Sequence, residues 1–192
     1  MAKESCDEWS RQLHVCGVQA EGEVCRMNIA FEIQHQQQNE WCWSATSVSI
    51  DCFYNAASTW TQCGLVNNAF GRTDCCNAGS SAACNQPWYP DRALTILKRL
   101  NVSASGSISP DAIDGEMGQG RPVSVNVYWA GGGGHNLALR GRYTLWDPNT
   151  QSYPNWVSAS DPWYGDSEVL YNTFLTSYQG SGSWGWTCTT KP

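Results

Sequence analysis

The hydrophobic period of this chain changes at Pro122, and that change constrains its fold more than any other feature. Beyond it, Val123, Val125, Val127 and Trp129 alternate with Ser124, Asn126 and Tyr128, the two-residue period of a strand. Gly131 to Gly134 read as a turn, Asn136–Arg140 as the next strand extended through Tyr143 to Trp146, and Asp147-Pro148-Asn149-Thr150 as another turn. Trp156–Ser160 returns as a strand ending at Asp161. Before Pro122 the spacing is helical. Ala45, Val48, Cys52 and Phe53 recur at three- and four-residue steps, which predicts a helix from Glu40 with Asn39 as its N-cap and Asn55 near its stop. Pro90 opens a second helix with Ala93, Leu94, Leu97 and Leu100 on its apolar face, and Ser109-Pro110-Asp111 opens a third that Gly118 and Gly120 end. Ala30–Ile33 reads as a short strand. Helices first and antiparallel strands second predict an α+β fold, the helical N-terminal half packed on a C-terminal antiparallel β-sheet.

At 192 residues the chain predicts one domain, and 41% hydrophobic against 15% charged residues is enough to fold. Residues 1–29 are polar, carry three cysteines and show no clear period. They read as an N-terminal extension or precursor remnant ahead of a domain at 30–192. The net charge is −6 and there is no Lys/Arg block, which argues against nucleic acid or an anionic membrane as the partner. No apolar run approaches the roughly 18 residues of a membrane span, and Met1–Glu8 lacks the apolar core of a secretory signal.

Ten cysteines stand at 6, 16, 25, 42, 52, 63, 75, 76, 84 and 188. Their spacings form no pair of CxxC motifs and only three histidines accompany them, so disulfides in an oxidising compartment explain them better than zinc. Two local bridges are expected among Cys63, Cys75, Cys76 and Cys84, with the vicinal pair reaching different partners. The loop at 60–88 that holds them leaves room for a short helix through Leu65-Val66. No metal or cofactor is implied.

Chemistry concentrates at Gln36-Gln37-Gln38-Asn39-Glu40-Trp41-Cys42-Trp43-Ser44-Ala45. A thiol attacks carbonyls only as thiolate, a form that a helix N-terminus and a neighbouring imidazolium favour. Cys42 stands where the helical pattern begins. His135 follows four glycines at the start of a strand, whereas His14 and His35 lie in poorly patterned stretches. About ten helical residues, some ~15 Å, separate Cys42 from Cys52, too far for a bridge between them.

Cys-Trp at a helix start, a glutamine six residues earlier and a later Gly-His on a strand resemble the papain-like cysteine peptidases. The pieces are Gln36 with Trp41–Ala45, Gly120–Val123, Gly134-His135 with Gly141, and Asp161–Gly165, in papain chain order. They are similar to the bacterial branch that includes plant-pathogen effector peptidases and, more distantly, bacteriocin leader peptidases. The resemblance implies a papain-like fold whose nucleophile helix packs on the sheet. It also implies that Cys42 forms an acyl-enzyme, that His135 is general base and acid, and that Gln36 donates to the oxyanion. Gln37 and Gln38 compete for the last role. Asp161 is favoured over Asp147 as the group orienting the imidazole; both precede proline, and either could instead cap a turn.

These residues predict a cysteine endopeptidase acting on protein or peptide, in a secreted or translocated protein. Acyl transfer or deamidation would use the same set. The alternative is a disulfide-stapled, non-catalytic binding module presenting Trp88, Tyr89, Trp163 and Tyr164. The sequence carries no motif for substrate preference or oligomeric state.

Overall fold

The alternation beyond Pro122 is realised as antiparallel sheet. The computed structural model describes residues 15–19 and 22–192. In chain order the elements are β1 (Val15–Gln19), β2 (Gly22–Asn28), α1 (Cys42–Tyr54), α2 (Gln62–Phe70), α3 (Pro90–Ile96), β3 (Leu100–Ser105) and α4 (Pro110–Gly118). There follow β4 (Val123–Trp129), β5 (Gly134–Thr144), β6 (Asn155–Asp161), β7 (Gly165–Leu170), α5 (Tyr171–Thr176) and β8 (Gly182–Thr190). The fold is mixed α/β. All eight strands join one sheet, every pairing antiparallel.

The long β5 organises that sheet. One edge pairs with β4 near its start (Val127↔His135) and with β2 near its end (Asn28↔Gly141); the other edge pairs with β6. A Cβ at Gly141 would stand 1.6 Å from Asn28 Oδ1, so only glycine lets β2 approach there. β8 lies beyond β4, and β3 beyond β8. Val123, Val125, Val127, Leu137 and Leu139 are buried against Ile50 and Phe53 of α1, Leu94 of α3, and Ile113 and Met117 of α4.

Every residue of α1 from Trp43 to Phe53 is buried, so the helix is enclosed on all sides rather than on the one face its spacing predicts. The sheet covers one side, where Thr46 Oγ1 donates to the Asn136 carbonyl at 3.1 Å. A second cluster covers the other: Trp41, Trp43 and Val48 pack against Leu65 and Val66 of α2 and against Cys75 and Cys84. Several buried polar side chains are carried inward with a partner. Ser44 donates to the Gln62 carbonyl at 3.0 Å, and Asp51 receives Arg99 Nε at 2.7 Å together with the Ser58 hydroxyl.

The cysteine-rich loop forms the two bridges expected of it, Cys63–Cys76 and Cys75–Cys84, the vicinal pair reaching different partners. It also holds the tip of α1. Trp41 Nε1 donates to the Cys84 carbonyl at 2.9 Å, Trp43 Nε1 to that of Gln86 at 3.1 Å, and the Glu40 amide to Asn85 Oδ1 at 3.0 Å.

Several expectations give way. Residues 30–33 form no strand; Phe31 instead packs edge-on against Phe53 with centroids 5.8 Å apart. Helix α1 starts at Cys42 behind Trp41, with no side-chain cap, because residues 38–41 close a turn of their own, the Trp41 N–H donating to the Gln38 carbonyl at 3.1 Å. Helix α3 stops at Ile96. Arg99 N–H closes onto the Leu94 carbonyl at 2.8 Å and Lys98 turns left-handed (φ 62°), which sends Leu100 into β3. Strands are not confined to the second half, since β1, β2 and β3 all precede Pro122. No helix among the described residues is long and apolar enough to cross a membrane.

Candidate active site

The helix tip, the start of β5 and the turn after β6 converge on one cleft of about 890 Å³. Cys42, the first residue of α1, is half-buried and free, whereas Cys52, Cys63, Cys75, Cys76 and Cys84 are all disulfide-bonded. Without a side-chain cap, the backbone N–H of Cys42 has no acceptor among the described residues. His135 is buried on β5 at the cleft wall. Its neighbour Gly134 leaves little room for a side chain, since a Cβ there would meet Asn126 Nδ2 at 2.9 Å and the Val127 carbonyl at 3.2 Å.

Asp161 ends β6 with its side chain fully enclosed. Its Oδ1 lies 2.8 Å from His135 Nε2 and also receives the backbone N–H of Trp163 at 2.7 Å and of Tyr164 at 2.9 Å. Its Oδ2 receives the Tyr178 hydroxyl at 2.8 Å. With Nε2 occupied, Nδ1 is the ring nitrogen left to face Cys42, which lines the same cleft and acts on the charge of His135. Trp129 stacks on the imidazole at 6.0 Å and Tyr164 meets it edge-on at 6.1 Å, limiting water around the pair.

Burial alone would push the His135 pKa down. Hydrogen bonds to Asp161 and Cys42, and the negative charge of both, outweigh it and raise the pKa from 6.5 to about 9. Burial likewise pushes Asp161 up. The His135 hydrogen bond and charge, with the two turn amides, hold the carboxyl below its ordinary value. The ring is therefore an imidazolium at neutral pH, placed between two groups that favour its charge.

Asp147 stands elsewhere. It accepts from its own turn, the Asn149 N–H at 2.9 Å and the Thr150 hydroxyl at 3.0 Å, and does not line the cleft. Of the three consecutive glutamines only Gln36 is buried and lines the cleft. Its backbone N–H donates to the Pro162 carbonyl at 2.9 Å, tying this loop to the Asp161 turn. Its Nε2 donates to the carbonyls of Gln38 (2.9 Å) and Asn39 (2.8 Å), and its Oε1 is buried without a partner among the described residues.

Trp88, Tyr89, Trp163 and Tyr164, the aromatics that would suit a binding module, line this same cleft. Sequence reasoning missed Trp129, Asn126 and Trp186 in its wall, and Tyr178 behind Asp161. Tyr178 lies in a segment with no periodic signal, 17 residues past its partner. Among the described residues the one group with metal-ligand geometry is Asp74, Cys75 and Cys84, but a disulfide occupies both sulfurs.

A free thiol at a buried helix tip, faced across a cleft by an imidazole on the sheet, is the arrangement of the papain-like cysteine proteases. Within that class the chain belongs to the family of the papain-like cysteine protease AvrRpt2, whose model matches residues 23–179 and so spans Gln36, Cys42, His135 and Asp161. No curated protein matches the chain.

Proposed function

We propose that the protein is a cysteine endopeptidase that hydrolyses peptide bonds through Cys42, His135 and Asp161. One observation carries the reading: the His135 ring is held between the Asp161 carboxylate, at 2.8 Å, and the free Cys42 side chain, at the wall of an open cleft. The Cys42 thiolate attacks the scissile carbonyl carbon. The carbonyl electron pair moves onto oxygen, and the Cys42 backbone N–H donates a hydrogen bond to that oxyanion. The His135 imidazolium gives its Nδ1 proton to the leaving amine, the C–N bond breaks and an acyl-enzyme remains. The ring, now neutral, takes a proton from water as that water attacks the thioester. Collapse releases the acid and restores the thiolate–imidazolium pair.

Gln36 supplies the second oxyanion donor in this reading. Both of its amide protons are engaged by backbone carbonyls at rest, so one must turn to the oxyanion as charge develops. Gln36→Ala is expected to lower kcat about 10²-fold with little change in KM, because the contact exists only in the transition state. A rise in KM alone, measured by steady-state kinetics, would assign Gln36 to substrate binding instead.

Two disulfides beside a free nucleophilic cysteine fit an oxidising compartment, and hence a secreted or translocated effector-type enzyme. In this reading residues 30–192 carry the activity, and the segment at 1–29 extends it while lending β2 to its sheet beside β5. The binding-module alternative uses the same aromatic walls, but gives no role to a free thiol paired with an imidazole.

Iodoacetamide decides between them. The enzyme is expected to be alkylated first at Cys42, at mildly acidic pH, and to stop generating new termini from a peptide library read by mass spectrometry. Cleavage that persists after Cys42 is fully alkylated would sink the proposal.

A further inference from the structure

We propose that Tyr178 is a positioning residue for the peptide-bond chemistry: its phenol fixes the Asp161 carboxylate in the orientation that keeps His135 turned toward Cys42. The inference rests on the peptidase reading above and deepens it. The two oxygens of Asp161 are held unequally. Oδ1 takes three donors, His135 Nε2 and the amides of Trp163 and Tyr164, whereas among the described residues the Tyr178 hydroxyl at 2.8 Å is the one donor at Oδ2. The carboxylate is enclosed, so no solvent replaces a lost donor. Without the phenol, a buried anionic oxygen is left unpaired. The carboxylate then turns to share the donors now on Oδ1, and His135 loses the alignment of its Nε2 bond.

Tyr178 is built to hold still. It is 1% exposed, and its ring packs edge-on against Phe174 with centroids 5.0 Å apart. Its backbone N–H donates to the Gly182 carbonyl and its carbonyl accepts the Gly182 N–H, both at 2.8 Å, which pins the residue to the start of β8. Burial and the adjacent Asp161 charge push the phenol's pKa up, so it remains a donor throughout the working range and relays no proton. Tyr178 touches neither Cys42 nor the cleft, and its effect passes through Asp161.

The test compares wild type, Tyr178→Phe, Asp161→Ala and the double variant, by kcat and KM on a cleaved peptide and by the low-field proton resonance of the His135 ring N–H. Tyr178→Phe is expected to lower kcat about tenfold at unchanged KM and to move the His135 resonance. In the Asp161→Ala background the same change should alter kcat by less than about twofold, since the group it acts through is gone. A kcat within about twofold of wild type with an unmoved resonance, or an equal loss in both backgrounds, overturns the proposal. Wild type that cleaves no peptide would sink the peptidase reading, and the resonance then decides on Tyr178 alone: movement supports its role, constancy overturns it. If the phenylalanine variant does not fold, 3-fluorotyrosine at 178 keeps the ring and strengthens the donor, and the same resonance must still move.

Discussion

Cys42→Ala is expected to lower kcat by more than about 10⁵-fold, to the floor of a peptide-cleavage assay, because among the described residues no other thiol stands in the cleft to take over the attack. Five of the remaining described cysteines are locked in disulfides. Cys188, the other free one, is buried on β8, its thiol pushed up to about 11 by burial in spite of a hydrogen bond to Ser103, and it lies outside the cleft. The loss is expected without a loss of fold. Cys42 is half-buried at the first turn of α1, alanine is a strong helix former, and the tip is held by Trp41, Trp43 and Glu40 through the cysteine-rich loop rather than by the thiol. Thermal unfolding should therefore stay within about 1 kcal/mol of wild type. A Cys42→Ala protein that unfolds like wild type and still cleaves within tenfold of it would show that another nucleophile does the work.

Sequence alone made Cys42 and His135, the groups proposed to react, legible and left the residues around them dark, for physical reasons. The strand alternation at Val123–Val127 survives because β4 buries one face on the helices, and the bridges among Cys63, Cys75, Cys76 and Cys84 follow from their proximity in the chain. Cys42 and His135 stand out because each sits at a junction, a helix start and a Gly-rich turn into a strand. Edge elements give no such signal. β3 exposes most of its residues, so nothing forces its side chains to alternate, and β7, though it alternates, buries neither face fully. The cap of α1 is misplaced because propensity cannot know that residues 38–41 will close a separate turn ahead of the helix. Tyr178 is invisible for a similar reason: it meets Asp161 only after α5 and the turn into β8 have folded back over β6. Asp161 and Asp147 look alike as Asp-Pro turns. What distinguishes them is tertiary, since the Asp147 carboxylate is spent on its own turn while that of Asp161 is carried inward against His135.

Asp161→Ala is expected to reduce kcat/KM about 10³-fold and to move the basic limb of the pH–activity profile to lower pH. In wild type that limb is expected to mark the loss of the His135 proton near pH 9, above the ordinary 6.5 because Asp161 and Cys42 both favour the imidazolium. Removing Asp161 deletes its hydrogen bond and its charge together. Burial, which disfavours the charged ring, then opposes Cys42 alone and the pKa falls. Stability should follow with the same sign. A histidine whose folded pKa lies above its unfolded value contributes most below the unfolded value, and loses that contribution as pH rises through the folded one. Wild-type Tm should thus decline between about pH 6.5 and 9 by a component that Asp161→Ala lacks. Asp161→Asn separates the two effects. Its amide oxygen can still accept from His135 and from the Trp163 and Tyr164 amides, so orientation is kept while charge is lost. It should cost only about tenfold yet shift the basic limb in the same direction. An alanine variant whose basic limb stays near pH 9 would mean that Asp161 does not set the charge of the ring.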